Sequence, residues 1–142
     1  MYKHKQIGWL MIWIFLPVII GMAIWLSFYP FLPAMITAII LLIVLFLFSS
    51  LTVEADNQRL SFYFGIGLFG KKIRYSEIQS IQKVRNTWLM GWGIHWYGKG
   101  WLYNVSGFDA IELILRSGAA IRIGTDEPDR LYNWLSSKVA TN

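Results

Sequence analysis

The chain has 142 residues, 56% of them hydrophobic and 15% charged, with a formal net charge of +5. Soluble proteins carry about 45–50% apolar and about 25% charged residues. With mean hydropathy at +0.46, a disordered chain is excluded and a wholly soluble domain is disfavoured. With no cysteine and only His4 and His95, disulfides, thiolate metal sites, cysteine catalysis and histidine-rich metal sites are excluded too.

Lys3 and Lys5 are the last charges before a long silence: every residue from Gln6 to Val53 is uncharged, and all 8 acidic residues lie from Glu54 onward. One membrane span takes about 20 apolar residues, so the silent stretch is long enough for two. Residues 7–29 and 31–51 supply them. Pro30 and Pro33 mark the break, because proline removes a backbone donor and disfavours a helical residue before it. Trp25, Phe28, Tyr29 and Phe31 suit a membrane–water interface there, and Trp9 and Trp13 suit the opposite one. Pro17 and Gly21 lie inside the first run, where lipid-embedded helices tolerate them. A signal peptide has a shorter apolar core and a small-residue cleavage site, and a soluble core helix keeps a polar face. Neither run fits these alternatives. The expectation is a transmembrane helical hairpin over residues 1–51. Lys3 and Lys5 before it, and Arg59, Lys71, Lys72 and Arg74 after it, place both termini on the cytoplasmic side of an inner (cell) membrane, making a multi-pass protein.

From residue 51 the apolar period changes to two, and no flexible linker intervenes. Strands are expected at 51–55, 59–64, 71–75, 78–84, 101–105, 110–115 and 119–123, with Asp56-Asn57 and Arg116-Ser117-Gly118 as turns. Ser76-Glu77 suggests an irregular start to the fourth. After Gly124, Thr125 or Asp126 can cap a helix with Pro128 near its start. Leu131, Trp134, Leu135 and Val139 fall on one face of that helix. The expected fold is an α+β membrane protein: the N-terminal hairpin, then a cytoplasmic β-barrel or sandwich of about seven strands over residues 52–142, closed by a C-terminal helix.

Gly91-Trp92-Gly93-Ile94-His95, Ala110-Ile111-Glu112-Leu113, Gly118 and Ile121-Arg122-Ile123-Gly124-Thr125-Asp126-Glu127-Pro128 ahead of Leu131 carry a resemblance. With the hairpin, they make the chain similar to bacterial membrane proteins in which a pleckstrin-homology-like (bacterial PH) domain follows two transmembrane helices, families largely without assigned function. The resemblance implies the fold and implies no catalytic activity. Many pleckstrin-homology domains hold phosphoinositides with basic residues around the first hairpin. Ala55-Asp56-Asn57-Gln58, read as that turn, has an acid and no base, which argues against carrying that ligand over.

Four features compete for a function. Gly65-Ile66-Gly67-Leu68-Phe69-Gly70 spells G-x-G-x-x-G, but a strand follows it where a dinucleotide fold needs a helix, so it reads as a glycine-rich hairpin. The segment from Trp88 to Trp101 holds Trp88, Trp92, Trp96 and Trp101 among glycines. It either dips into the headgroup zone, which suits tryptophan's apolar body and single N–H donor, or packs onto the domain. Lys71, Lys72 and Arg74, joined by Lys83, Arg85 and Lys99, either face anionic lipid or only fix topology. His95 is alone, without an oriented partner or a nucleophile fixed by the sequence, although Ser106 and Asp109 are near in the chain. Asn104-Val105-Ser106 matches a glycosylation sequon that a cytoplasmic face makes irrelevant. The expectation is a non-enzymatic binding or assembly module. Its partners are membrane lipids, through Trp88, Trp92, Trp96, Trp101, Lys71, Lys72, Arg74 and Lys99, or a protein partner or second copy. No metal, cofactor or nucleic acid is expected.

Overall fold

The computed structural model describes residues 1–140. The chain opens with an unexpected element. Strand β1 (Tyr2–Ile7) is followed by helices α1 (Trp9–Phe28) and α2 (Leu32–Phe48), and only then by β2 (Ser50–Ala55). β1 and β2 are antiparallel partners, from Tyr2 opposite Ala55 to Ile7 opposite Ser50. The two helices are therefore a long excursion inside one β-hairpin. Gly8 N–H donates to Ser49 O at 2.7 Å and closes the neck of that excursion. The division at residue 51 is corrected accordingly: the sheet takes its first strand from before the helices. Lys3 and Lys5 belong to that strand rather than to a free basic flank.

α1 runs unbroken through Pro17, with no buried residue. α2 buries only Leu45 and carries Pro33 in its first turn, where the missing N–H costs nothing. The expected spans of 7–29 and 31–51 shorten to these two helices. α1, at 20 residues and mean hydropathy 2.3, is long and apolar enough to cross a membrane, whereas α2 is a shorter apolar helix.

The remaining strands are β3 (Arg59–Phe64), β4 (Phe69–Arg74), β5 (Ile78–Arg85), β6 (Gly93–Trp96), β7 (Gly100–Asn104), β8 (Asp109–Leu115) and β9 (Ala120–Gly124), and helix α3 (Pro128–Val139) ends the described chain. Among the described residues two strands exceed the seven expected: β1 and β6. Tyr75–Glu77 forms a 3-10 turn, which accounts for the irregular start before β5. The strands form two sheets, ordered β1-β2-β3-β4 and β5-β8-β9-β7-β6. All pairings are antiparallel except β7 with β9.

The inward faces meet in one core. Leu51, Val53, Leu60, Phe62, Phe64 and Ile73 of the first sheet pack with Ile111, Leu113, Ile121 and Ile123 of the second. Phe62 meets the Tyr103 ring edge-on at 4.8 Å. Leu131 and Leu135 of α3 are fully buried and close one side. The helix cap differs in detail from expectation: Glu127 holds the N-cap position, without a side-chain cap, and Pro128 follows. Thr125 Oγ1 instead accepts from the Glu127 N–H at 3.0 Å.

Candidate functional site

The register gives the sandwich two distinct ends. β1 ends and β2 begins at the neck of the helices, so the β3–β4 turn at residues 65–68 lies at the helix end and the β2–β3 turn at 56–58 at the far end. Contacts agree. Phe48 of α2 packs on Phe64 and Phe69, each with ring centroids 5.3 Å away, and Gly65 N–H donates to Ser50 O at 2.9 Å. Gly65 has φ +49, and a Cβ there would meet the Leu47 backbone, so only glycine fits.

In the second sheet, Gln6 Nε2 donates to Ser106 O at 3.1 Å, which places the β7–β8 turn at the helix end. Asn86 N–H donates to Phe108 O at 2.6 Å. The crossover at 86–92, which carries the chain from edge strand β5 to the opposite edge strand β6, therefore starts at the helix end too. The turns at 97–99 and 116–119 lie at the far end.

This geometry divides the eight residues expected to form one lipid-facing set. Trp88 and Trp92 lie on the crossover at the helix end. Trp88 is 72% exposed, while Trp92 is half-buried, with its Nε1 lacking a partner among the described residues. Trp96 and Trp101 face one another across the β6–β7 ladder at the far end, edge-on at 5.9 Å. Three residue steps along β6 separate Gly93 from Trp96, about 10 Å at 3.3 Å per residue. Lys99 sits in the adjoining turn. The tryptophan segment is therefore a crossover plus a β-hairpin and not one loop. On edge strand β4, Lys71 lies mid-strand opposite Phe62, while Arg74 lies opposite Arg59 at the far end. Lys72 falls in the cross-strand row Lys3–Glu54–Ser61–Lys72, with Lys3 paired to Glu54 at 2.7 Å. Lys83 pairs with Asp129 at 2.8 Å, and Arg85 stands opposite Asp109. No single basic face gathers these cations.

Three exposed aliphatic side chains lie outside that set. Ile66 is 63% exposed and Leu68 67%, in the turn at 65–68, and Leu89 beside Trp88 is 76% exposed. The G-x-G-x-x-G segment is this turn, followed by strand β4 as expected of a hairpin. The available signal was the pair of bulky aliphatics between glycines, which a polar turn does not need.

A second feature is a buried charged pair on the outward face of the second sheet. Glu112 and Arg122 stand opposite one another on β8 and β9, with Arg122 Nη2 at 2.6 Å from Glu112 Oε1 and side chains 10% and 9% exposed. Tyr97 Oη donates to the same oxygen at 2.8 Å, and its ring lies 4.3 Å from the guanidinium carbon. Arg122 Nη1 donates to Asn86 Oδ1 at 3.0 Å. Burial alone pushes the Glu112 carboxyl up. The hydrogen bonds from Arg122 and Tyr97 and the neighbouring positive charge outweigh it and hold the carboxyl below its ordinary value. Burial, then the Glu112 hydrogen bond and charge, push the Tyr97 phenol up to about 12. The network fastens both the crossover and the β6–β7 hairpin to the sheet. Its signal in the sequence was opposite charge at mirrored positions about the turn at Arg116-Ser117-Gly118.

His95 gains no hydrogen-bond partner for its ring among the described residues. Its Nε2 is buried, and burial lowers its pKa. Ser106 O is taken by Gln6. Among the described residues no group of three His, Cys, Asp or Glu side chains is placed to hold a metal ion. Asn104 of the sequon is buried. Comparison with protein-family models, curated proteins and solved structures gives no match to this chain.

Proposed function

We infer that the protein is a membrane-anchored, non-enzymatic binding or assembly module of pleckstrin-homology-like design. Its helix pair spans the inner membrane, and its sandwich is held at the cytoplasmic surface. One observation carries the reading: two apolar helices, which bury only Leu45 between them, rise together from one end of a well-packed sandwich. A core helix of a soluble protein is covered by its neighbours, whereas these leave most of their apolar side chains exposed. Both helices leave and re-enter the same hairpin, which agrees with termini on one side of a bilayer. The cations flanking them agree with the cytoplasmic side.

The strand plan also supports the design. Setting aside the helix pair and the β6–β7 hairpin leaves four antiparallel strands in chain order, then the meander β5-β8-β9, then a closing helix. Those are seven strands and a helix. In this plan the helices occupy the connection of the first hairpin, and the turn at residues 56–58 belongs to the second. This arrangement supports lipid contact at the helix end through Trp88, with Lys71 lower on β4. A second reading is a protein scaffold. It is favoured by the Trp96–Trp101 pair, 58% and 46% exposed on the β6–β7 edge at the far end.

Carbonate washing and reporter fusions test the anchor. The chain should stay with the membrane, with a reporter after Asn142 active inside and one between Tyr29 and Leu32 active outside. Release into the aqueous fraction, or a carboxy-terminal reporter active outside, would refute it. Cross-linking in cells from position 96 to a specific partner would favour the scaffold.

A further inference from the structure

We propose that the helix end of the sandwich is a bilayer-inserting collar, in which Ile66 and Leu68 on the β3–β4 turn and Trp88 and Leu89 on the β5–β6 crossover enter the interfacial layer of the leaflet around the helix pair. The inference rests on the membrane-anchored reading and names the surface that meets lipid.

Two ends of one sandwich supply the comparison. At the far end the turns are Asp56-Asn57-Gln58, Tyr97-Gly98-Lys99 and Arg116-Ser117-Gly118-Ala119, polar or charged as solvated turns are. At the helix end, residues 65–68, 86–92 and 105–108 contain no charged residue, and the charges at that level, Arg85, Asp109 and Asp126, sit on the strand ends and the β9–α3 connection. They display Ile66, Leu68, Trp88 and Leu89, with Phe69 and Phe108 beside them, all large and exposed. Soluble surfaces rarely gather such side chains. Their occupant is set by continuity: Phe69 stacks on Phe48 at the base of α2, so a bilayer crossed by the helices lies against these same turns. The neck at Gly8 and Ser49 leaves no linker to hold the sandwich away. Lys5 lies just below the neck, with Lys71 further down at the middle of β4, within the range over which anionic headgroups attract cations. Trp96 and Trp101 are excluded from the collar by their place at the far end.

Because the chain has no cysteine, single-cysteine variants of the full chain can be spin-labelled without background. Leu68→Cys and Leu89→Cys would report the collar, Asn57→Cys and Ser117→Cys the far end, and Ile20→Cys the helix. Each is placed in nanodiscs of phosphatidylcholine and phosphatidylglycerol and relaxed by oxygen or by an aqueous nickel chelate. The collar predicts that labels at 68 and 89 collide with the chelate severalfold less than those at 57 and 117, and with oxygen more. If 68 and 89 match the far end while position 20 is in lipid, the collar is wrong and the anchor stands. If position 20 also meets the chelate, the anchor fails and the collar with it. Shielding of 68 and 89 from both relaxers would mean protein contact and would overturn the proposal in favour of a partner or second copy.

Discussion

Replacing Arg122 by methionine should cost the sandwich a large part of its stability. Methionine keeps the apolar stem, so packing is little disturbed. What changes is the company of Glu112, which would keep only the Tyr97 hydroxyl while remaining 9% exposed. Removing one member of a buried ion pair typically costs about 3–5 kcal/mol, because the other is left as an uncompensated charge. Whole domains are stable by about 5–15 kcal/mol, and for a domain near 100 residues each kcal/mol shifts Tm by about 4–8 °C. A fall of at least about 12 °C is therefore expected. Thermal or denaturant unfolding of the full chain in detergent, followed by tryptophan fluorescence, would measure it. Asn86 would lose its donor at the same time, so the crossover should become more accessible to protease. The double variant Arg122→Met with Glu112→Leu should recover most of the loss, since an apolar pair of similar volume is often neutral. A single variant costing less than about 1 kcal/mol, or a double variant no better than the single, would refute the view that the pair is held as a mutually dependent unit.

Acid should act through the same group. The Glu112 carboxyl is lowered in the fold, so its contribution is present above its ordinary value of 4.5 and is lost as pH falls through the folded value; Glu112→Gln should flatten that limb of a stability–pH curve. In alkali the sign reverses. Tyr97 is raised from 10.0 to about 12, so its contribution is complete below pH 10 and lost as pH rises through about 12. Phenolate absorbance should therefore show at least one late-titrating tyrosine that Tyr97→Phe removes, and Tyr2, also raised to about 12, should show another. Gly100→Ala would set a methyl group against the Ala120 carbonyl across the parallel β7–β9 pair. The overpacking should cost about 1–3 kcal/mol, and an unchanged melting temperature would contradict that close approach.

Elements with a strong local signal were legible in the sequence. The uncharged stretch and its prolines located both helices, the period-two runs located seven strands, and Pro128 with Leu131 and Leu135 located α3. β1 was not legible because its pattern runs against hydropathy: Gln6 is buried and Ile7 exposed, and its partner strand lies beyond both helices. β6 was hidden by its length of four residues and by flanking glycines. The candidate surface suffered from the same cause. Trp88, Trp92, Trp96 and Trp101 are close in sequence, but a crossover followed by a hairpin carries them to opposite ends. Ile66 and Leu68 are far from them in sequence, yet they share the helix end with Trp88. Which turns share an end is a property of topology, and local periodicity does not report it.

The interruption of the β1–β2 hairpin also governs how the molecule may be cut. Deleting Met1–Leu51 to obtain a soluble fragment would strip away a whole edge strand and the first two residues of β2, and expose the rest of β2, whose unpaired backbone groups would invite neighbouring chains to aggregate. A fragment that preserves the sheet must instead be spliced, joining Gly8 to Ser49 through a tight Asn-Gly bend, because the hydrogen bond from the Gly8 N–H to Ser49 O already marks them as the closing pair such a turn needs.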